Sequence, residues 1–272
     1  AYTRITVAAS APTLFYYCSS HSGMGGQANT PTTNSFSNFS GSIQTNISPN
    51  TTSGFSIVKY TGTGSAGATV GHGLGVKPAM IIFKSLSVAG PSWVVYHQSK
   101  GATYTLYLNE TSVGGTSAEM LNNTEPTSSL ITLGNGTSSN SSGASTIAYC
   151  FNDVQGFSKM GSYTGNNNDD GTFVYLGFKP AFVLIKITSG QTDNWIMQDN
   201  KINSFNGASS QRLRPNSSGA EFSSSNEIDL LSNGFKVHGA DGEINGDGFS
   251  YIYMSFAENP FTSSAGTPVT AR

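Results

Sequence analysis

An internal repeat constrains the fold of this chain more than any other feature. The segments GFSIVKYTG, VKPAMIIFK and SWVVYHQ follow one another from Gly54, and they return from Gly156 as GFSKMGSYTG, FKPAFVLIK and NWIMQD. A separation of 102 residues joins each of four pairs: Gly54 and Gly156, Lys77 and Lys179, Lys84 and Lys186, and Trp93 and Trp195. An internal period of this length predicts two tandem modules of domain size.

Composition indicates what the modules are made of. The chain has 32 glycines, is rich in Ser, Thr and Asn, and contains only 10% charged residues. This usage favours turns and pleated strands over helices. We therefore predict an all-β protein of two tandem sandwich-like modules, jelly-roll or lectin-like, at residues 54–155 and 156–261. Residues 1–53 are predicted to be N-terminal strands and an extended linker, and residues 262–272 a polar tail.

Charge and hydropathy exclude two classes of partner. The 13 basic and 15 acidic residues give a net charge of -2, so no excess of positive charge is available for phosphates or an anionic lipid surface. The longest apolar runs, AMIIF and AFVLI, are far shorter than the roughly 20 residues that span a bilayer. We expect no nucleic-acid partner and no membrane partner, and we interpret both runs as strands.

Two groups of side chains are weak metal candidates, and the first is Cys18, His21 and Met24. Their C-x2-H-x2-M spacing after an aromatic strand resembles the ligand loop of cupredoxin-like domains, where a thiolate, an imidazole and a thioether bind copper. Such a site also needs a histidine from an upstream strand, and fewer than twenty residues precede Cys18 here, so the ligand set is incomplete unless a preceding segment or another chain supplies that histidine. We therefore predict a surface loop without copper.

Cys150, inside an apolar strand, is predicted to be a buried free thiol.

The second group is Asp241, Glu243, Asn245 and Asp247, which place oxygen ligands at every second position between glycines. Loops that wrap Ca²⁺ use such a pattern. A hairpin turn explains the same composition, because Asp, Asn and Gly suit turn geometry. The corresponding loop of the first module, NGTSSNSSG from Asn135, has no acid. We favour the turn and predict no metal and no cofactor.

The repeated tryptophans and lysines have structural interpretations. Trp93 and Trp195 could stack on sugars, but their matching positions after an apolar strand favour core residues at equivalent places. The four repeated lysines are predicted to be solvated strand ends: Lys77, Lys84, Lys179 and Lys186.

Catalytic motifs are missing from the sequence. It contains no G-x-S-x-G, H-E-x-x-H or paired CxxC motif. Asp153 and Glu258 lie at matching ends of the modules, and they are too equivalent to act as an acid and a base with different pKa values. We predict no catalytic residue and assign no binding residue.

The ordered motifs GFS, YTG, KPA, W and FAENPF resemble a duplicated β-domain of virion and tail-fibre proteins of tailed bacteriophages, over about residues 54–261. The segment FYYCSSHSGMGG resembles a cupredoxin-like loop of such proteins. The resemblance implies a structural component of the extracellular particle: a tail fibre, an appendage or a capsid-surface protein that contributes to host attachment. The implied partners are other copies of the chain, other virion proteins and a host-surface glycan or protein.

Two alternatives remain open at this point. A polysaccharide-degrading enzyme of the tailspike type would need two or three acidic residues about 5 to 10 Å apart in one groove. A lectin-like glycan-binding module would expose a Trp or Tyr beside Asn and Asp on a loop tip. We also expect an oligomer, favouring a trimer, because ordering a polar linker such as residues 1–53 needs contacts from neighbouring subunits.

Overall fold

The computed structural model describes residues 14–17, 25–28, 35–202, 206, 210–224 and 228–259. Cys18, His21 and Met24 lie outside these ranges, as does the tail at 262–272. The described part is almost entirely antiparallel β-structure with a single helical turn, which confirms the all-β prediction. None of its helices is long and apolar enough to cross a membrane.

The first half of the chain contains twelve strands and the helical turn in the described residues. In chain order they are β1 Leu14–Tyr17, β2 Gly25–Ala28, β3 Phe36–Asn38, β4 Thr45–Asn50, β5 Phe55–Thr61, β6 Thr69–Gly71, β7 Met80–Ser85, β8 Val94–His97, β9 Tyr104–Tyr107, β10 Gly115–Thr116, β11 Leu130–Thr132, α1 Thr137–Asn140 and β12 Ser145–Phe151.

The second half continues with nine strands in the residues that the structure covers. They are β13 Ser158–Thr164, β14 Phe173–Tyr175, β15 Pro180–Ile187, β16 Trp195–Asp199, β17 Ser210–Arg212, β18 Phe222–Ser224, β19 Ile228–Leu231, β20 Gly234–Val237 and β21 Ser250–Ala257.

The repeated segments form matching sheets. The main sheet of the first module has the order β10-β9-β8-β7-β12-β5-β4-β3, and that of the second has the order β13-β21-β15-β16. The four strands β5-β12-β7-β8 therefore pair in the same order as β13-β21-β15-β16. This is the pairing that the repeat predicts, while descent from an internal duplication remains a prediction.

A small sheet covers the outer face of each main sheet. In the first module, Val70 and Ile131 of the β6–β11 pair share a core with Val58 and Phe83. In the second, the sheet β14-β20-β19 packs on the four-stranded sheet around a core that includes Phe235, Ile185 and Tyr251. Each module is thus a two-layer sandwich.

A third core lies between the two main sheets, and we call this contact the seam. Met80 and Ile82 of β7 pack there with Leu184 and Met254, while the alternate residues of the same strands face the module cores. The central strands β7 and β15 are consequently buried on both faces, which explains why AMIIF and AFVLI are continuous apolar runs. The molecule is a stack of four β-layers.

The predicted extended linker is wrong for residues 36–50. These residues form β3 and β4, which extend the main sheet beyond β5. Ile43, Thr45 and Ile47 alternate onto one buried face, and both isoleucines belong to the core of the first module. Thr45 hides this alternation in the sequence because it is polar. It is buried with its hydroxyl donating to the carbonyl of Gly71 at 3.2 Å.

The core face of β12 also differs from expectation. The sequence suggests Ile147, Tyr149 and Phe151 as the core face, but Ala148 and Cys150 point into the core of the first module. Tyr149 and Phe151 are half-buried against the seam. Small residues suffice on the inner face because β12 lies between β5 and β7 at the middle of the sheet.

The two tryptophans occupy equivalent places but differ in burial. The backbone N–H of Trp93 donates to Asn109 Oδ1 at 2.8 Å, and that of Trp195 donates to Asn216 Oδ1 at 2.9 Å. Trp195 is 1% exposed, and Trp93 is mostly buried and packs against the same core at the seam, in agreement with the prediction of core residues.

Candidate functional site

Polar side chains from both modules meet beside the seam in an open groove of about 490 Å³. The loop after β9 supplies one wall, and residues around β16 and after β17 supply the other. The groove is lined by Asn109, Glu110, Thr111, Ser112, Thr192 and Asn216. Charged residues of the second module lie beneath this groove, and the groove and these charges together form the candidate site.

Lys186 joins the two modules at the base of the groove. Its Nζ donates to the backbone carbonyl of Thr111 at 2.8 Å and to that of Asp193. The side chain is fully buried, and burial lowers its pKa to about 8. The prediction of a solvated strand end is therefore wrong for Lys186. Its counterpart Lys84 is half-buried, donates to the carbonyl of Pro91 at 2.8 Å and lies 5.6 Å from the ring centre of Trp93, both within its own module.

Two ion pairs lie next to this lysine. Glu243 accepts a hydrogen bond from Arg214 Nη2 at 2.5 Å and another from Asn194 Nδ2 at 2.9 Å. The fully buried Arg212 has its Nη1 3.6 Å from Asp241 Oδ2. Burial raises the pKa of Glu243 and lowers the pKa of Arg212, so both groups carry a desolvation cost that the opposite charges offset.

Comparison of the modules shows that Asp241 and Glu243, and the arginines that pair with them, have no charged counterparts in the first module. Leu106 pairs with Val95 as Leu213 pairs with Met197, so the flanking positions Thr105 and Tyr107 correspond to Arg212 and Arg214. Asn140 and Asn245 make equivalent hydrogen bonds in the two modules, so the residues four and two positions before them correspond: Asp241 and Glu243 to Gly136 and Ser138. The second module thus differs from the first by two arginines and the two acidic residues that pair with them.

Asn245 binds backbone groups, whereas its neighbours Asp241 and Glu243 face arginines. Its Nδ2 donates to the carbonyls of Gly239 and Asn168, and its Oδ1 accepts from the backbone N–H of Asn166. Asn140 of the first module makes the same three contacts, with Gly134, Ser65 and Thr63. Each asparagine is fully buried and fixes the turn that precedes the last strand of its module.

The four candidate calcium ligands therefore have different partners. Asp241 and Glu243 face arginines, Asn245 holds backbone groups, and Asp247 is exposed. In the described residues, no group of three or more His, Cys, Asp or Glu side chains is arranged to hold a metal ion. Ion pairing and turn geometry account for the composition of the loop.

Asp193, which the sequence analysis did not single out, lies close to Glu243. Asn194 Nδ2 is 3.2 Å from Asp193 Oδ1 and 2.9 Å from Glu243 Oε1, so these two oxygens are within about 6 Å of each other. Glycosidase carboxylates have comparable spacing. Here both are already engaged, since Asp193 Oδ2 accepts from Gln191 Nε2 at 2.9 Å and Glu243 is paired with Arg214.

The equivalent acids Asp153 and Glu258 are also occupied. Asp153 Oδ1 accepts the backbone N–H of Met160 at 2.7 Å, and Glu258 pairs with Lys179 at 2.8 Å. Lys77 pairs with Glu125 at 2.7 Å. Both lysines keep more than a third of their side-chain surface exposed, in line with the predicted strand ends.

His97 is a second buried contact across the seam that the sequence did not indicate. Its Nδ1 accepts the backbone N–H of Ser99 at 3.2 Å, so Nε2 carries the proton and donates to the carbonyl of Tyr253 at 3.1 Å. Burial lowers the pKa of His97 to about 4, so the ring is neutral at pH 7.

Cys150 is a buried free thiol, as predicted, and burial raises its pKa far above neutrality.

Fold and site together define an all-β protein whose two modules are joined by an apolar core and by buried polar side chains that donate to backbone carbonyls across the seam. The chain matches the family described as a domain of unknown function, DUF7483, over residues 28–260, and it therefore belongs to that family. No curated protein and no solved structure matches it. The family match begins before Gly54 and so includes β3 and β4 with the modules.

Proposed function

We propose that the chain is a structural component of a tailed-bacteriophage particle, in a tail fibre, an appendage or the capsid surface, and that it contributes to host attachment. The resemblance of the repeated motifs supports this assignment. The observation that carries it structurally is the seam, where Lys186, His97 and Trp195 direct their polar groups to carbonyls of the other module. Such use of buried polar side chains builds a rigid body.

The carboxylates in and beneath the groove also favour a structural role. Its carboxylate Glu110 accepts from Ser92 Oγ at 2.6 Å, and the acids beneath it face arginines or amides. Each of these acids has a partner from the chain, which suits an architectural role.

Particle composition tests this proposal. Mass spectrometry of purified virions of the encoding phage should detect peptides of the chain in stoichiometric amount, and antibody–gold labelling should mark the tail or the capsid surface. Light scattering on the purified chain should give an oligomer, in agreement with other copies and other virion proteins as its partners. Absence of the chain from particles would overturn the proposal.

The pair Asp193 and Glu243 gives one specific reason to test a polysaccharide-degrading enzyme as the second candidate. Purified chain incubated with neutral and acidic bacterial polysaccharides should release no reducing ends, since both carboxylates are engaged. Release that Glu243→Gln abolishes, with the fold retained, would establish the enzyme instead.

A further inference from the structure

We propose that the outer face of the small sheet in the second module binds a neutral glycan, whose sugar rings stack on Phe173 and Tyr175. The two side chains leave β14 on the same face because they are two residues apart. Val174 between them points into the module core. We call the surface formed by Phe173, Tyr175, Gly177 and Gly234 the aromatic platform.

Both rings are exposed to solvent: Phe173 is 44% exposed and Tyr175 is 60% exposed. Phe36 and Phe39 are exposed to a similar or greater extent, so exposure by itself does not distinguish this pair. What distinguishes Phe173 and Tyr175 is that they lie next to each other on one face of one strand and form a continuous apolar surface. Aromatic rings offer an apolar face that packs against the C–H groups of a pyranose ring.

Glycines let both rings lie against the sheet. A Cβ placed on Gly234 would be 3.1 Å from two ring atoms of Phe173, so the ring rests where a side chain would otherwise stand. A Cβ placed on Gly177 would be 3.5 Å from the hydroxyl oxygen of Tyr175. Gly177 has a φ of +81°, which also disfavours other residues there. Gly234 thus leaves room for the ring of Phe173, and Gly177 borders the hydroxyl group of Tyr175.

Balanced charge pairs border the aromatic platform. Lys236 is the cross-strand neighbour of Phe173 and pairs with Asp170. Asp229 is the next cross-strand neighbour and accepts from His238 Nε2 at 2.9 Å. Sugar hydroxyl groups both donate and accept hydrogen bonds, and the two lysines and two aspartates around the platform, Lys159, Lys236, Asp170 and Asp229, supply donors and acceptors that carry equal numbers of positive and negative charges. A neutral sugar therefore matches this border better than a polyanion.

The first module shows that this surface is not a requirement of the fold. Strand β6 holds the place of β14, but its open side is covered by the chain's own N-terminal segment. Ile43 N–H donates to the carbonyl of Thr69 at 3.0 Å, and Ile43 also bridges to Val70. Thr69 and Gly71 stand where the second module has Phe173 and Tyr175. Of these two pairs of corresponding positions, the second module has aromatic residues and the first does not.

The edge of β14 is closed to a further strand by a lysine. Lys159 Nζ donates to the carbonyl of Tyr175 at 2.9 Å and lies 5.6 Å from the centre of its ring. Lysine on an edge strand is a common obstacle to strand addition. The face of the strand, rather than its edge, is therefore the surface available to a ligand.

This inference rests on the attachment role in the proposed function and gives that role a ligand class. Saturation-transfer NMR with the purified full-length chain should detect binding of neutral tetrasaccharides of glucose, mannose, galactose or N-acetylglucosamine. The double variant Phe173→Ala/Tyr175→Ala should weaken the affinity for the bound sugar by about tenfold or more. Tyr175→Trp should retain binding, since it preserves the stacking surface.

A matched control removes two exposed aromatic residues elsewhere. Phe36→Ala/Phe39→Ala should leave binding unchanged, and thermal unfolding should show that all variants fold. Absence of binding to all four sugars, binding that the platform variant leaves unchanged, or preference for a heparin oligosaccharide would overturn the inference. Failure here with the chain present in virions would leave the structural proposal intact, whereas binding by a chain absent from virions would reject only the structural proposal.

Discussion

At the residue scale, the seam depends on a few buried polar side chains that serve the backbone of the other module. Trp195 Nε1 donates to the carbonyl of Tyr107 at 2.8 Å, and the buried side chains of His97 and Lys186 act in the same way. A buried donor that loses its acceptor costs about 1 to 3 kcal/mol. These side chains therefore fix the relative position of the modules as well as filling space.

The pH dependence of stability should report His97. Its pKa is about 4 in the folded protein, below the ordinary histidine value of 6.5 that applies when the chain is unfolded, so between these values the unfolded chain binds more protons. The stability that neutral His97 contributes is fully present above pH 6.5 and is lost as pH decreases toward 4, by up to roughly 3 kcal/mol. Urea unfolding at several pH values should show a smaller acid loss in His97→Gln than in the natural chain. An equal loss in both would contradict this account.

Removal of Arg214 alone should destabilise the protein more than replacement of both Arg214 and Glu243. Arg214→Tyr leaves a buried carboxylate without its cation and should cost roughly 2 to 3 kcal/mol, because Glu243 cannot regain water. The double variant Arg214→Tyr/Glu243→Ser installs the residues of the first module and should recover most of that loss. Urea unfolding of the natural chain, both single variants and the double variant measures the coupling free energy. Additive effects would show that the pair is not coupled.

At the element scale, the strands before Gly54 change the account of the first module. β4 pairs with β5 along its whole length, and Ile47 is 2% exposed. The contacts that order residues 36–50 therefore come from the chain itself. They no longer argue for neighbouring subunits, and the proposed oligomer rests on the resemblance instead.

Substitutions in this segment separate a strand from a linker. Ile47→Ala should cost about 2 to 4 kcal/mol, because it opens a cavity in the module core. Phe39→Ala, at a side chain that is 74% exposed, should change stability by about 0.5 kcal/mol or less. Thermal and urea unfolding provide the comparison. Two equally neutral substitutions would restore the interpretation of residues 36–50 as a linker.

At the scale of the whole molecule, the third core makes the two sandwiches one cooperative body. Met80, Ile82, Leu184 and Met254 are buried only because the main sheets face each other. Burial of apolar surface contributes about 25 cal/mol per Å², so separation of the sheets would expose a large hydrophobic surface. Neither module is expected to remain soluble and folded without the other.

Unfolding of the full chain should therefore be a single transition. Trp93 and Trp195 belong to different modules and both lie at the seam, and the variants Trp93→Phe and Trp195→Phe leave one tryptophan each. Each variant should unfold with the same midpoint by fluorescence and by circular dichroism, since the shared core couples the modules. Separate midpoints for fluorescence and circular dichroism within one variant would show that the modules unfold independently.

Local sequence information was sufficient for the β-class, for the matching strands of the two modules and for the turn character of the loop from Asp241 to Asp247. These features follow from strand alternation, turn residues and a fixed repeat. Tertiary packing alone decided the burial of Lys186 and His97, the pairing of Arg212 and Arg214 with acids some 30 residues later, and the entry of Ile43 and Ile47 into the core. Each of these depends on which distant surfaces pack together, and a polar side chain has the same local pattern whether its partner is water or the carbonyl of another module.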